Sequence, residues 1–104
     1  MARWDVYRNT SRRGELDTPY LLDVQADLLV DLHTRLVVPL RRASGIPRPI
    51  GRLQPRLRIA EVDLIMDTPM MVGAPVSALG PRQTNVADQA PLLLGASDFL
   101  LTGI

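Results

Sequence analysis

Residues 20–30 read YLLDVQADLLV, and the way this stretch folds decides the architecture. On an extended chain Leu22, Val24 and Ala26 fall on one side and Asp23, Gln25 and Asp27 on the other. That period of two predicts a β-strand with one buried face. Asp23 and Asp27 would then stand roughly 13 Å apart, beyond the roughly 5 to 9.5 Å of paired glycosidase carboxylates. The expectation for both is a solvated strand face.

The same alternation recurs on either side. In RWDVYR (3–8) Trp4 and Val6 oppose Arg3, Asp5 and Tyr7. TRLVVPL (34–40) is a further strand; Pro39 has no N–H to give a ladder and is expected at an edge or near a strand end. RLRIAEVDLIMDT (56–68) reads as a hairpin that turns near Ala60 and Glu61, and MMVGAPVSALG (70–80) as a last strand broken by Gly73 and Pro75. The intervening NTSRRGELDTP (9–19) and RRASGIPRPIGRLQP (41–55) carry the Asn, Ser, Gly and Pro of loops, the second a mobile one.

After Pro81 the period changes. Apolar residues fall at 86, 90, 93, 100 and 104, with Leu94 and Leu101 beside them, which is helical spacing. Asp88 is a candidate cap that would put Pro91 in the first turn; Thr84 or Asn85 would cap it with a kink at Pro91. Gly103 is the expected terminating residue. The apolar stripe is wider than one sheet face can cover, and Gly95, Ala96 and Ser97 offer a small surface for close packing. A homodimer is expected, with Leu100, Leu101 and Ile104 at the interface. The fold class is mainly β (α+β): a small SH3-like barrel or antiparallel sheet with a C-terminal α-helix, in a single domain spanning residues 1–104.

Composition narrows the chemistry. There is no cysteine, hence no disulfide, thiolate metal site or cysteine nucleophile. No signal peptide or membrane span is read, so a cytoplasmic protein is expected. The net charge is +1, and all 12 cations are Arg. Seven of them, from Arg35 to Arg58, lie in a stretch without a carboxylate, read as a solvated loop and strand face or as a surface for an acidic partner. His33 is the only histidine, with no acid or nucleophile motif around it, and no Walker loop, G-x-G-x-x-G, H-E-x-x-H or G-x-S-x-G is present. No catalytic residue, metal site or cofactor is expected, and the protein is read as a non-enzyme. A cluster of Thr10, Ser11, Arg12 and Arg13 would be the raw material of a metal-independent nuclease.

DVYRNTS, YLLDVQADLLVDLHTRLVVPL, LQPRLRIAEVDLIMDTPMMVGAPVSALG and FLLTGI resemble, in order, the CcdB family of bacterial toxins. Asp23, Val24, Gln25 and Asp27 fit its D-V-Q-x-D, Leu36 to Leu40 its V-I-P-L-like strand, and PVSALG and the closing Gly-Ile also match. The resemblance implies a CcdB/MazF-type barrel and a homodimer. It implies a toxin that binds the A subunit of DNA gyrase and traps it on cleaved DNA. A CcdA-like antitoxin would neutralise it and share in operon repression, so that DNA is met only through gyrase or antitoxin. Thr102, Gly103 and Ile104 would face gyrase; Thr102 stands where the family has its main aromatic contact, a Trp. Antitoxin contacts are expected in the two Arg-rich loops, at Arg8, Arg12, Arg13, Arg41, Arg42 and Arg48. Two alternatives stay open: a MazF-like metal-independent ribonuclease toxin, and a toxin relic that only binds its antitoxin and regulates the operon.

Overall fold

A computed structural model describes residues 1–29 and 31–103, without the side chains of Arg13 and Glu15. Among these residues seven strands form one antiparallel sheet, curled into a half-barrel: β1 (Asp5–Arg8), β2 (Tyr20–Asp23), β3 (Thr34–Arg42), β4 (Arg56–Ile59), β5 (Val62–Met66), β6 (Val72–Pro75) and β7 (Arg82–Asn85). Two helices accompany them, a single short turn α1 (Arg12–Leu16) and the C-terminal α2 (Ala90–Thr102). The strand order is β4-β5-β3-β2-β1-β7, with β6 also paired to β3.

The long strand β3 is the hub. It pairs with β2 along one side; along the other it pairs with β6 from Thr34 to Val37 and then with β5 from Leu40 to Arg42. Pro39 therefore sits inside the sheet, not at an edge or a strand end. It occupies the place where β3 changes partner, and its carbonyl accepts from the Asp67 N–H at 2.9 Å. A missing donor is harmless where no neighbouring strand requires one.

The two sheet faces are buried with different chemistry. Trp4, Val6, Leu22, Val24, Val38, Leu40, Leu64 and Met66 share one apolar cluster with Leu57, Ile59, Val86 and the helix residues Leu93 and Ala96. Alternation then places Asp5, Tyr7, Asp23, Arg35 and Val37 on the opposite face, and these too are buried. Trp4 enters the cluster with φ at 72°, a left-handed conformation unusual for a bulky residue. It is held there by its N–H on the Asp23 carbonyl (2.7 Å) and by the Val86 N–H on its own carbonyl (3.0 Å).

Several elements depart from the sequence expectation. The strand through 20–30 stops at Asp23, and residues 27–29 make a tight 3-10 turn instead. The loop at 9–19 contains α1, and the 41–55 connection contains 3-10 turns at 43–45 and 51–53, the latter against α2. β7 was not expected: RQTN has too little apolar content to read as a strand. It is an edge strand with Gln83 bulged between the Thr84 and Arg82 pairings. Neither Asp88, Thr84 nor Asn85 caps α2, whose N-cap is Gln89 with no side-chain bond. Pro91 does lie in the first turn, and Asn85 accepts from the Ala87 N–H (2.9 Å) at the preceding 3-10 turn. Gly103 ends the helix with φ at 75°, its N–H on the Phe99 carbonyl.

The β4–β5 hairpin turns at Ala60 and Glu61, as its alternation predicts, with φ of 49° and 69° between the paired Ile59 and Val62. Those angles belong to a two-residue type I′ turn, which favours Asn-Gly. Replacing Ala60→Asn and Glu61→Gly together should raise stability by about 1–2 kcal/mol in urea denaturation. The lost Arg58–Glu61 ion pair (3.3 Å) joins largely exposed groups and contributes little against this. An unchanged or lowered urea midpoint would show that the turn carries no backbone strain.

Candidate functional site

The D-V-Q segment folds around its own side chains. Asp23 Oδ1 accepts from the Gln25 N–H at 3.0 Å; Gln25 Oε1 accepts from the Leu36 N–H at 3.0 Å, and Gln25 Nε2 donates to the Leu29 carbonyl at 2.9 Å. These bonds stand in for ladder pairing, which is why the strand ends here. Asp27 accepts from the Arg3 N–H at 2.7 Å, and Arg3 Nε donates to the Val24 carbonyl at 3.1 Å. The expectation of a solvated Asp face thus fails at Asp23. It is fully buried and meets the equally buried Arg35, Nε to Oδ2, at 2.6 Å. Arg35 likewise leaves the set of solvated arginines. Its two Nη groups have no hydrogen-bond partner, so the pair binds through one contact rather than a full fork.

Tyr7 and Asp5 extend this buried polar face. Burial pushes the Tyr7 phenol up to about 12, assisted by the negative charges of Asp5 and Asp23. For Asp5 burial alone would raise the pKa; hydrogen bonds from Asn85, Arg82 and the Ala2 N–H outweigh it and hold the carboxyl below its ordinary value. Asp5 therefore adds stability above the ordinary carboxylate range, lost as pH falls through its lowered pKa.

The turn after Gln25 directs apolar side chains outward. Leu28 is 96% exposed, and Leu29 and Leu32 are about half exposed. The exposure of Leu28 was missed in the sequence, because a strand reading through 30 puts it on the buried side with Leu22, Val24 and Ala26; Leu29 falls on the polar side and Leu32 beyond that strand. At the other end of the chain Leu101 is 71% exposed and Leu100 partly so, while Leu93, Ala96 and Ser97 take the buried side of α2. Thr102 and Gly103 are exposed at the helix tip, with Thr102 Oγ1 on the Asp98 carbonyl at 2.7 Å. Ile104 lies outside the described residues. Phe99 is half-buried, with the Arg52 guanidinium 5.1 Å from its ring centre.

The six candidate antitoxin arginines do not form one surface. Arg41 faces away from the apolar cluster and is engaged by Asp17 (3.3 Å) and Asp67 (3.7 Å). Arg8 and Arg42 line a single cleft. Arg12 begins α1 and is exposed, as is Arg48 in the connection after β3; the Arg13 side chain lies outside the description. No group of three or more His, Asp or Glu side chains able to hold a metal is found among the described residues. No described helix is long and apolar enough to cross a membrane.

The family model of the CcdB protein matches residues 3–103, the curled sheet and α2 together. The chain belongs to the CcdB family. The family reading makes it a toxin of a toxin–antitoxin system, and the mainly β half-barrel with a terminal helix is the fold this family implies. No curated protein matches the chain.

The raised Tyr7 pKa has a readable consequence. The fold favours the neutral phenol, so this contribution is fully present below the ordinary tyrosine value near 10 and is lost as pH rises towards about 12. Urea midpoints of wild type and Tyr7→Phe, compared at about pH 9 and about pH 11.5, should show a smaller alkaline loss in the variant. Equal losses would mean that Tyr7 does not couple ionisation to folding.

Proposed function

We propose that this CcdB-family chain is a homodimeric toxin that binds the A subunit of DNA gyrase through the tip of α2 and is neutralised by a CcdA-like antitoxin. The observation that carries the reading is the family match through residue 103 onto an α2 tip where Leu101 is largely exposed and Leu100 partly so. Leu100 and Leu101 belong to the uncovered side, which supports a second copy as their neighbour. Ile104 completes this proposed interface and the gyrase-facing set with Thr102 and Gly103. Cytoplasmic location accords with this reading, since gyrase is met there.

A second reading has its own support. Thr102 provides no aromatic anchor, and the sole aromatic residue of α2, Phe99, is half-buried beside Arg52. Interface energy concentrates in such anchors. Their loss favours a chain that retains antitoxin binding and operon regulation while contacting gyrase weakly. The ribonuclease alternative has no such support.

One sedimentation experiment addresses assembly and target together. Alone at micromolar concentration the chain should sediment as a dimer; a monomer contradicts the assembly. Mixed with gyrase A subunit it should bind weakly, and Thr102→Trp should bind at least about thirtyfold more tightly and raise the yield of cleaved DNA in the presence of whole gyrase. If neither form contacts gyrase, the antitoxin-only reading replaces the poison. If either degrades RNA in a parallel control, the ribonuclease reading replaces both.

A further inference from the structure

Arg8 and Arg42 end adjacent parts of the sheet on its apolar face. Arg8 pairs across to Tyr20, Tyr20 pairs to Leu40, and Arg42 lies two residues beyond on β3. Alternation puts Arg8 on the side of Val6, and Arg42 on the side of Leu40, so both point to the same face beyond the core cluster. There they line a cleft of about 630 Å³ whose other walls include Asn9, Thr10, Pro19, Tyr20, Val62 and Pro81. Among the described residues no acidic side chain lines this cleft. Among the described residues neither arginine has an ion-pair partner, in contrast with Arg41 on the opposite face.

The cleft walls are fixed before any ligand arrives. The Arg8 N–H donates to the Pro81 carbonyl at 2.9 Å, and the Gly80 N–H to the Arg8 carbonyl at 3.2 Å. A Cβ at Gly80 would come within 2.4 Å of that carbonyl oxygen, so only glycine permits the approach. Asn9 ties the first loop to the Thr18 carbonyl at 2.9 Å. Fixed walls leave less ordering to be done on binding.

We infer that Arg8 and Arg42 form a two-point clamp for a carboxylate on an extended polypeptide segment. Two guanidinium groups with no acid beside them among the described residues select an anion, and Pro19, Val62 and Pro81 together with Asn9 and Thr10 offer its neighbours both apolar contact and hydrogen bonds. A nucleic acid fits less well. Single strands bind by stacking bases on aromatic faces, and Tyr20, the one aromatic residue in the wall, is only 9% exposed. Identification of the acidic segment with the antitoxin rests on the function proposed above; the clamp itself does not.

The test has two arms on the full chain. In the first, side-chain NMR signals of Arg8 and Arg42 are monitored while a blocked peptide of alternating Leu and Glu is added, then its Leu and Gln counterpart, then an oligouridylate of matched charge. The clamp predicts shifts with the Glu peptide alone, and the accompanying backbone amide shifts of Tyr20 and Val62 should be lost in Arg8→Gln/Arg42→Gln and kept in Arg56→Gln. Equal shifts with the Gln peptide, or stronger ones with the oligouridylate, overturn it. In the second arm the co-expressed antitoxin is titrated, and the Arg8→Gln/Arg42→Gln variant should lose at least about tenfold in affinity, with weaker salt dependence. Unchanged affinity overturns the identification of the clamped segment with the antitoxin. Failure of wild type to bind antitoxin, with the peptide shifts intact, overturns the antitoxin reading and leaves the clamp.

Discussion

A single ion pair with no exposure to solvent, Asp23 to Arg35, organises the sheet. It joins β2 to the start of β3 on the face away from the main apolar cluster. Slipping either strand by one residue would carry a charge into the cluster occupied by Leu22 and Val38 and strand its partner. Burying two charges costs about as much as their attraction returns, and the unpartnered Arg35 Nη groups add to that cost. The pair is therefore best understood as a fixer of register rather than a large net source of stability. Its guanidinium is held charged chiefly by the Asp23 hydrogen bond, which burial opposes.

The turn after β2 and the far end of β3 both depend on that register. With Asp23 turned inward, its second oxygen takes the Gln25 N–H, and Gln25 bridges to β3 and to the 27–29 turn. The strand ends, the turn begins, and Leu28 and Leu29 point outward instead of completing an alternating strand. Further along β3 the pairing partners change at Pro39, which brings Arg42 beside the β1 end and gives the cleft shared with Arg8. Two surfaces, one apolar and one basic, thus issue from opposite ends of the same central strand.

Much of the fold was legible in the sequence and some of it could not be. Alternation located β1, β3, β4, β5 and the I′ hairpin, and the change of period located α2, because each buries one face against the same core. β7 was illegible: an edge strand is held by backbone pairing and needs little apolar content, and RQTN has none. The charge block from Arg35 to Arg58 read as one solvated set. The fold divides it: Arg35 is buried and structural, Arg41 is paired with Asp17 and Asp67, and Arg42 has no ion-pair partner among the described residues. No local signal separates these, since the partners of Arg35 and Arg41, Asp23 and Asp17 with Asp67, lie elsewhere in the chain. The convergence of Arg8 with Arg42 likewise needs the register of three strands. Thr102 and Gly103 are exposed at the end of α2, and Ile104 lies outside the described residues.

The most direct test of the organising role of Asp23 and Arg35 is a double-mutant cycle of Asp23→Leu and Arg35→Met, read by urea denaturation with the Leu28 and Leu29 amide shifts recorded alongside. Each single change leaves one buried charge alone and should cost about 3–5 kcal/mol. The double variant should recover much of that loss, with a coupling of at least about 2 kcal/mol, but its 24–29 amides should depart from their native positions because the turn has lost its anchor. A coupling below about 0.5 kcal/mol, or a double variant whose turn keeps its native shifts, would contradict the organising role of the pair.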